Sequence, residues 1–387
     1  MKLLFISTND HVPWGGSEVL WSKVAVALVA SGHNVMASLQ RWPEEPKPVA
    51  EVRTKGVQIH LRSRDKLVYT RVLRTWNAFR GGYLPEYTNN ELEALELFRP
   101  DHVVLSLGSH VDGKFVRFAR ALRDRSISYD VIVQLVHPFL VLSDEEADRL
   151  LEAYSGARHV VFVSDQNREI AQMHLGDELA RSIVIPNPAD LLHLETPLSY
   201  PKMDQGYHIA MVGALTPFHK GQDIALEVLA RPHWRDRSLW LNLYGEGTGR
   251  RVLERNIARL RLHRVKLHGH VPDRSVIWSK NHAALFASRM EGLSLALLEA
   301  LALGRMVVST DVGGAREHIV DGHTGFMVPF PSADALDVTL ERAWLVRDQW
   351  DGMGVNARSK HHVDGNDPVQ RIVALVEQRA ASDVVAN

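Results

Sequence analysis

The chain contains no cysteine. Disulfides, thiolate nucleophiles and sulfur-ligated metals are excluded together. Charge of either sign is barely in excess: 45 Lys and Arg stand against 46 Asp and Glu, a formal net charge of −1. No global field favours a polyanionic partner, so nucleic acid is not expected. No apolar run approaches the ~18–20 residues that a membrane-spanning helix needs. The opening MKLLFISTND has too short an apolar core for a signal peptide and reads as a first buried strand. Low-complexity tracts and solenoid-period repeats are missing as well. The expectation is a cytoplasmic protein. What remains is 387 residues, 45% apolar and 24% charged, the composition of a soluble globular chain with room for two or three domains.

The first half alternates two kinds of segment. KLLFIST, NVMASL, DHVVLSL, YDVIVQLV and HVVFVS are short, continuous and rich in Val and Leu, as strands buried on both faces are. Between them run GGSEVLWSKVAVALVASG, DGKFVRFARALRDR and SDEEADRLLEAYSG, with apolar residues at helical spacing. Gly32 stands as the stop of the first helix. The pattern breaks over residues 186–206, where four prolines and no sustained period mark a linker. It restarts with HIAMVG, a helix from about Gly221, SLWLNLYG, RRVLERNIARLRL, VKLHGHV, HAALFAS and MVVSTDVGG. Alternating units of this kind imply parallel sheets covered by helices. The expected architecture is α/β, with two Rossmann-like doubly wound domains facing each other across a cleft. Their expected bounds are 1–195 and 196–365, followed by a C-terminal segment 366–387.

Ligands of such sheets bind beyond the carboxyl ends of strands, so the chemistry is sought in the loops that follow them. GEGTG (residues 245–249) follows a strand, but its spacing is wrong for a dinucleotide-binding turn and no acid follows to hold a ribose. A tight strand-to-helix turn is the preferred reading. Gly15 and Gly16 stand between the first strand and first helix. They either let backbone approach a ligand or serve a turn with positive φ. In GALTPFHKGQD (residues 213–223), Lys220 falls at an expected helix start. A cation there opposes the helix dipole unless it holds an anion. Gly213, neighbouring amides and Lys220 would then form a phosphate-binding loop.

The stretch EGLSLALLEALALG (residues 291–304) holds two carboxylates in an otherwise apolar segment. Ser294 suits an N-cap and Gly304 a C-terminal stop. Glu291 would lie in the loop and Glu299 inside the helix. Burying Glu299 among Leu and Ala is costly without partners. A vicinal diol would satisfy it; so would an arginine. The backbone separation is too long for a proton-sharing pair of the glycosidase type.

FASRMEGLSLALLEALALGRMVVSTDVGGAREHIVDGHTGFMV resembles the signature of the family 4 retaining glycosyltransferases, which have the GT-B fold. The E-x7-E motif falls on Glu291 and Glu299. N-terminal GG, VSDQNRE, VIPNP, MVG…HKGQD, LYGEG and HGHVPD follow in the family's order, across most of residues 1–330. The resemblance implies transfer of a sugar from a nucleotide-diphosphate donor (UDP- or GDP-type) to a hydroxyl acceptor, in glycan, exopolysaccharide or glycolipid synthesis. It implies no metal and no cofactor beyond the donor substrate; Asp-x-Asp occurs at no expected strand end. By the same resemblance Glu291 would bond the donor sugar, helped by the amides of Gly292, Leu293, Ser294 and Leu295. Glu299 would bind the ribose, Lys220 the diphosphate, and backbone near Val271 the base. Gly15 and Gly16 would approach the donor, and His137 would lie near the reacting sugar. One departure stands out: the family's Arg after Gly213 is Ala214 here, and His219 is a candidate substitute. An epimerase of the same fold and a catalytically silent nucleotide-sugar-binding protein are the alternatives.

Nine Lys or Arg against two acids occupy residues 47–84. Within them LVYTRVLRTWNAFR, over 67–80, has an amphipathic pattern. A helix packed on its own domain is preferred over a surface helix for anionic lipid at the inner membrane face, or a wall of the acceptor groove. The acceptor class left open is a glycan, a lipid-linked sugar or a small molecule. SKHHVDGND (residues 359–367) reads as a solvated connector, and Asp367-Pro368 as the start of a last helix. The resemblance implies that this helix crosses back to the N-terminal domain.

Overall fold

The computed structural model describes residues 1–10, 12–63, 92–189, 198–203, 206–363 and 367–382. The 67–80 stretch, and with it the expectation of membrane contact, lies outside them. So do 190–197 and 204–205 of the linker. The chain divides into two compact units, Met1–Asn187 with Asn366–Asn387, and Pro188–Gly365.

Unit 1 holds a seven-stranded sheet: β1 (Lys2–Ser7), β2 (Asn34–Gln40), β3 (Gln58–Arg62), β4 (His102–Leu107), β5 (Ser128–Val133), β6 (Val160–Phe162) and β7 (Ser182–Val184). The order is β3-β2-β1-β4-β5-β6-β7, with every described pairing parallel. β4 is buried at all six positions because helices cover both faces. One core layer gathers Phe115, Phe118, Leu122, Tyr129, Tyr154 and Phe162. The Ser17–Ala30 helix ends as expected: Gly32 has φ +87° and its N–H donates to the Val29 carbonyl. The Pro368–Ser382 helix packs on Ser17–Ala30 within this unit.

Unit 2 holds six parallel strands: β8 (Tyr207–Val212), β9 (Leu239–Tyr244), β10 (Val265–Gly269), β11 (Ala283–Phe286), β12 (Met306–Thr310) and β13 (Gly325–Val328). Their order is β10-β9-β8-β11-β12-β13. Both sheets reverse direction of winding beside their first strand, between β1 and β4 and between β8 and β11. Those are the switch points where open α/β sheets take ligands.

Two local expectations change. The helix expected from about Gly221 is preceded by a one-turn helix, Pro217–Lys220, and itself spans Gln222–Leu229. Residues 359–363 are not a connector: they continue the Trp350–Val363 helix. Among the described residues no helix is long and apolar enough to cross a membrane.

Candidate functional site

The loops after β8 and β11 meet at the unit 2 switch point. Arg289 N–H donates to the His219 carbonyl at 2.9 Å, and His219 Nε2 bonds the Met290 carbonyl oxygen at 2.8 Å. Arg289 also forks onto Asp223, at 2.9 and 2.7 Å. Lys220 and Glu291, 71 residues apart, join here: Nζ lies 2.6 Å from Oε1. Ser288 Oγ donates to the same oxygen at 2.7 Å. Burial alone would push the Glu291 carboxyl up. The Lys220 and His219 charges, with the bonds from Lys220 and Ser288, outweigh burial and hold it below its ordinary range.

The loop is fixed from behind. Thr310 Oγ1 donates to the Ser288 carbonyl at 2.7 Å, and Gly314 N–H to the Gly292 carbonyl at 2.8 Å. Gly313 has φ +58°, and a Cβ on it would meet the Gly292 carbonyl oxygen at 2.2 Å. Gly221, at φ +69°, lets the neighbouring loop close in: a Cβ there would lie 1.8 Å from the Ala287 carbonyl oxygen. These two glycines allow the loops to approach at backbone distance.

The helix Leu295–Ala302 starts as expected. Ser294 caps it, its Oγ accepting from Leu297 N–H at 3.4 Å, and Gly304 follows its end with φ +72°. Glu299 sits in its second turn and is 7% exposed, with Arg274 Nε at 3.8 Å from Oε2. Arg274 opens the short helix Arg274–Trp278, three residues after Val271, so Val271 and Glu299 occupy neighbouring elements. Of the two partners expected for Glu299 from sequence, the arginine is there, in an ion pair at 3.8 Å.

Lys220 directly precedes Gly221, the N-cap of Gln222–Leu229, so it stands at a helix start as expected. It also closes the one-turn Pro217–Lys220 helix. Its neighbouring amides are committed. The N–H groups of His219 and Lys220 donate to the Thr216 carbonyl, that of Gly221 to Pro217, and that of Gly213 to Tyr244. The loop offers an anion the ammonium, not a nest of these amides. Ala214 is exposed, and its carbonyl accepts from the Gln222 side chain at 2.8 Å.

Gly15, Gly16 and His137 belong to unit 1. Neither glycine has positive φ, which removes the positive-φ turn as their reason: Gly16 lies at φ −58° as the N-cap of Ser17–Ala30. The His137 N–H lies 3.4 Å from His110 Nδ1, and His110 Nε2 lies 3.0 Å from His174 Nδ1. His110 is fully buried. Burial, then the nearby His174 and His137 charges, push its pKa down to about 3, so it stays neutral. Sequence reasoning passed over His110 and His174, although His110, like His137, lies just beyond a strand's carboxyl end. Arg289 and Gly313 were also missed, since their partners lie far along the chain. Among the described residues no group of three or more His, Asp or Glu is arranged to hold a metal ion.

Residues 206–344 match the family model described as Glycosyl transferases group 1. The glycogen synthase of Mycobacterium tuberculosis is 26% identical over 354 residues, covering 84% of this chain and 81% of that protein. A phosphatidylinositol N-acetylglucosaminyltransferase subunit of Homo sapiens is 30% identical over 190 residues, 48% of this chain and 38% of that one. Among solved structures, Anabaena HepE in complex with UDP-glucose superposes with TM-score 0.68 at 17% identity, over 100% of both chains. The structural likeness shows the GT-B fold. The family match over unit 2, with the similarity to those curated relatives, supports a glycosyltransferase acting on a nucleotide-sugar donor.

Proposed function

We propose that the chain transfers a sugar from a UDP- or GDP-type donor to a hydroxyl acceptor, with retention at the anomeric carbon and without a metal. The observation that carries this is the Lys220–Glu291 pair at the unit 2 switch point, inside the segment that matches the group 1 glycosyltransferases. Charge on the leaving diphosphate is what such a site must stabilise. Lys220 meets it with the donor capacity that Glu291 leaves over. Glu291, kept ionised, accepts from donor sugar hydroxyls, with the amides of Gly292 to Leu295 beside it. Glu299 takes the ribose diol and backbone near Val271 the base. Gly15, Gly16 and His137 keep the donor-side roles that the family resemblance gives them. The bond from the anomeric carbon to the diphosphate oxygen breaks, the bond to the acceptor oxygen forms on the same face, and the acceptor proton passes to a phosphate oxygen. The enzyme supplies position and electrostatics. The UDP named in the HepE structures favours UDP among the donors. Acceptors in glycan, exopolysaccharide or glycolipid synthesis fit the relatives' names, and the setting is the cytoplasm or the inner membrane face.

Titration calorimetry with UDP and GDP tests the donor site. Lys220→Ala is expected to weaken binding at least several-fold, and Glu291→Ala to abolish transfer while circular dichroism stays unchanged. Equal nucleotide affinity in Lys220→Ala, or undiminished turnover in Glu291→Ala, refutes these roles. An epimerised sugar formed without any acceptor would identify an epimerase instead, and nucleotide binding with no donor hydrolysis over long incubation a silent binding protein.

A further inference from the structure

The loop that leaves the carboxyl end of β5, QLVHPF, carries His137. Three consecutive residues of it are held. The Leu135 carbonyl accepts from His110 N–H at 3.0 Å, Val136 N–H donates to Asn167 Oδ1 at 2.6 Å, and His137 N–H donates to His110 Nδ1 at 3.4 Å. Two of these holds come from one residue, His110, just beyond β4. Asn167 and His174 both belong to the Asp165–Leu175 helix that follows β6. Their spacing, two helical turns, puts them on one face of that helix. From there Asn167 reaches Val136 and His174 reaches His110.

His110 has no exposed surface, and its carbonyl accepts from the Tyr154 hydroxyl at 2.7 Å. These bonds settle its tautomer. A backbone N–H can only donate, so Nδ1 is the acceptor and carries no proton. Burial disfavours the charged ring. The one proton of the neutral ring therefore sits on Nε2 and donates to His174 Nδ1 at 3.0 Å. His174, accepting at Nδ1, keeps its own proton on Nε2, on a side chain that is partly exposed. Filling this space would not call for an imidazole. An aliphatic residue would do so without two buried nitrogens that each need a partner.

We propose that His110 is a positioning residue for His137. As the Nε2–H tautomer, kept so by His174, it fixes the backbone over residues 135–137 and with it the direction in which His137 leaves the loop. The consequence for catalysis rests on the role that the transferase reading gives His137; the hold on the loop does not.

The test replaces one ring nitrogen at a time in the full chain. In His110→Asn the side-chain oxygen stands where Nδ1 stood and still accepts from His137 N–H. In His110→Gln the amide reaches toward His174 and leaves that N–H unmet. One readout is amide hydrogen exchange in overlapping peptides across residues 134–141. The other is hydrolysis of UDP-glucose, UDP-N-acetylglucosamine and GDP-mannose, with kcat and KM taken on the fastest. Exchange is expected near wild type in His110→Asn and several-fold faster in His110→Gln. In His110→Gln kcat should fall roughly tenfold to a hundredfold, the scale of a misplacement of about 1 Å, with KM held within about twofold. Asn should stay nearer wild type. Both variants lower the Tm, and a packing role alone would make Asn, the smaller residue, the worse in every measurement. Equal exchange in the two variants, faster exchange in Asn, or undiminished kcat in Gln overturns the proposal. If neither variant folds, His174→Asn, which keeps an acceptor for His110 Nε2–H, against His174→Leu, which removes it, decides by the same readouts. A wild-type chain that hydrolyses none of the three donors, with the exchange difference present, removes the transferase reading and leaves the hold on His137 standing.

Discussion

At the residue scale, Lys220 and Glu291 were each visible in the sequence as a charge in a strand-end loop, but their pairing was not. A contact across 71 residues leaves no local trace. The pair makes a stability prediction separate from catalysis. Either side chain alone would be left shielded without its partner, with side-chain exposures of only 24% and 14%. Lys220→Met and Glu291→Gln should each cost about 1–3 kcal/mol, and the double variant less than their sum. A double-mutant cycle in urea checks this; strict additivity would mean that the two do not interact in solution. Ala214 gives the opposite experiment. It is exposed on the loop that carries Lys220, so Ala214→Arg should insert a cation without disturbing the core. A charge-assisted bond of about 1.5–3 kcal/mol implies UDP affinity up by roughly tenfold or more, and unchanged affinity would refute the placing of diphosphate there. His110 supplies a pH dependence. Folding holds its pKa near 3 through burial and its histidine neighbours, whereas the unfolded chain takes a proton below the ordinary 6.5. Between those values the unfolded state binds more protons, so stability falls as pH drops, by up to about 1.4 kcal/mol per pH unit for this group. Urea midpoints from pH 7 to 4 should fall less steeply in His110→Asn. An identical slope would show that the histidine is not held neutral.

At the scale of elements, the sequence was readable where an element is buried and regular, and unreadable where it is not. β4 and β12, buried at every position, stood out as continuous apolar runs. β3, β7 and β13 went unnoticed, and all three are sheet edges. QIHLR of β3 mixes polar and apolar residues because an edge is only half covered, while β7 and β13 have three and four residues, too few to show a period. The helix that carries Glu299 was legible because a serine cap and a glycine stop frame it. The one-turn Pro217–Lys220 helix was not, since four residues carry no repeat. Its junction with the next helix depends on Gly221, and a comparison of two glycines isolates why. Gly32 and Gly221 both have positive φ, at +87° and +69°, but only Gly221 has backbone within reach of a Cβ. Gly32→Ala should cost about 1 kcal/mol, the conformational penalty alone. Gly221→Ala adds a collision with the Ala287 carbonyl and should cost several times more, with the Lys220–Glu291 geometry lost as the loops separate. Equal Tm shifts for the two variants would mean that the close approach of the loops is not enforced.

At the scale of the whole molecule, two similar sheets were foreseeable because the βα alternation stops near residue 186 and restarts near 207. The unit boundary falls in that gap, between Asn187 and Pro188. Composition could not say which unit would own the last helix, because that depends on where the chain stands after unit 2 is complete. The helix Pro368–Ser382 buries Val369, Ile372, Val373 and Val376, and its contacts with Ser17–Ala30 lie inside unit 1. Polar bonds fix its register: His33 Nε2 meets Glu377 at 3.1 Å, and Arg371 donates to the Val184 carbonyl at 3.1 Å. Full burial of one such apolar side chain contributes about 1.5–3 kcal/mol. Four of them approach the whole net stability of an ordinary domain, about 5–15 kcal/mol. Removing residues 366–387 should therefore unfold or severely weaken unit 1. Unit 2 gives up none of its own residues in that truncation and should keep its fold. Amide hydrogen exchange resolved by peptide separates these outcomes. In the truncated chain, protection should collapse across β1, β2 and the Ser17–Ala30 helix while β8, β11 and β12 stay protected. Undiminished protection in unit 1 would show that the helix merely rests on a unit that is complete without it. Loss in both units together would show that they fold as one.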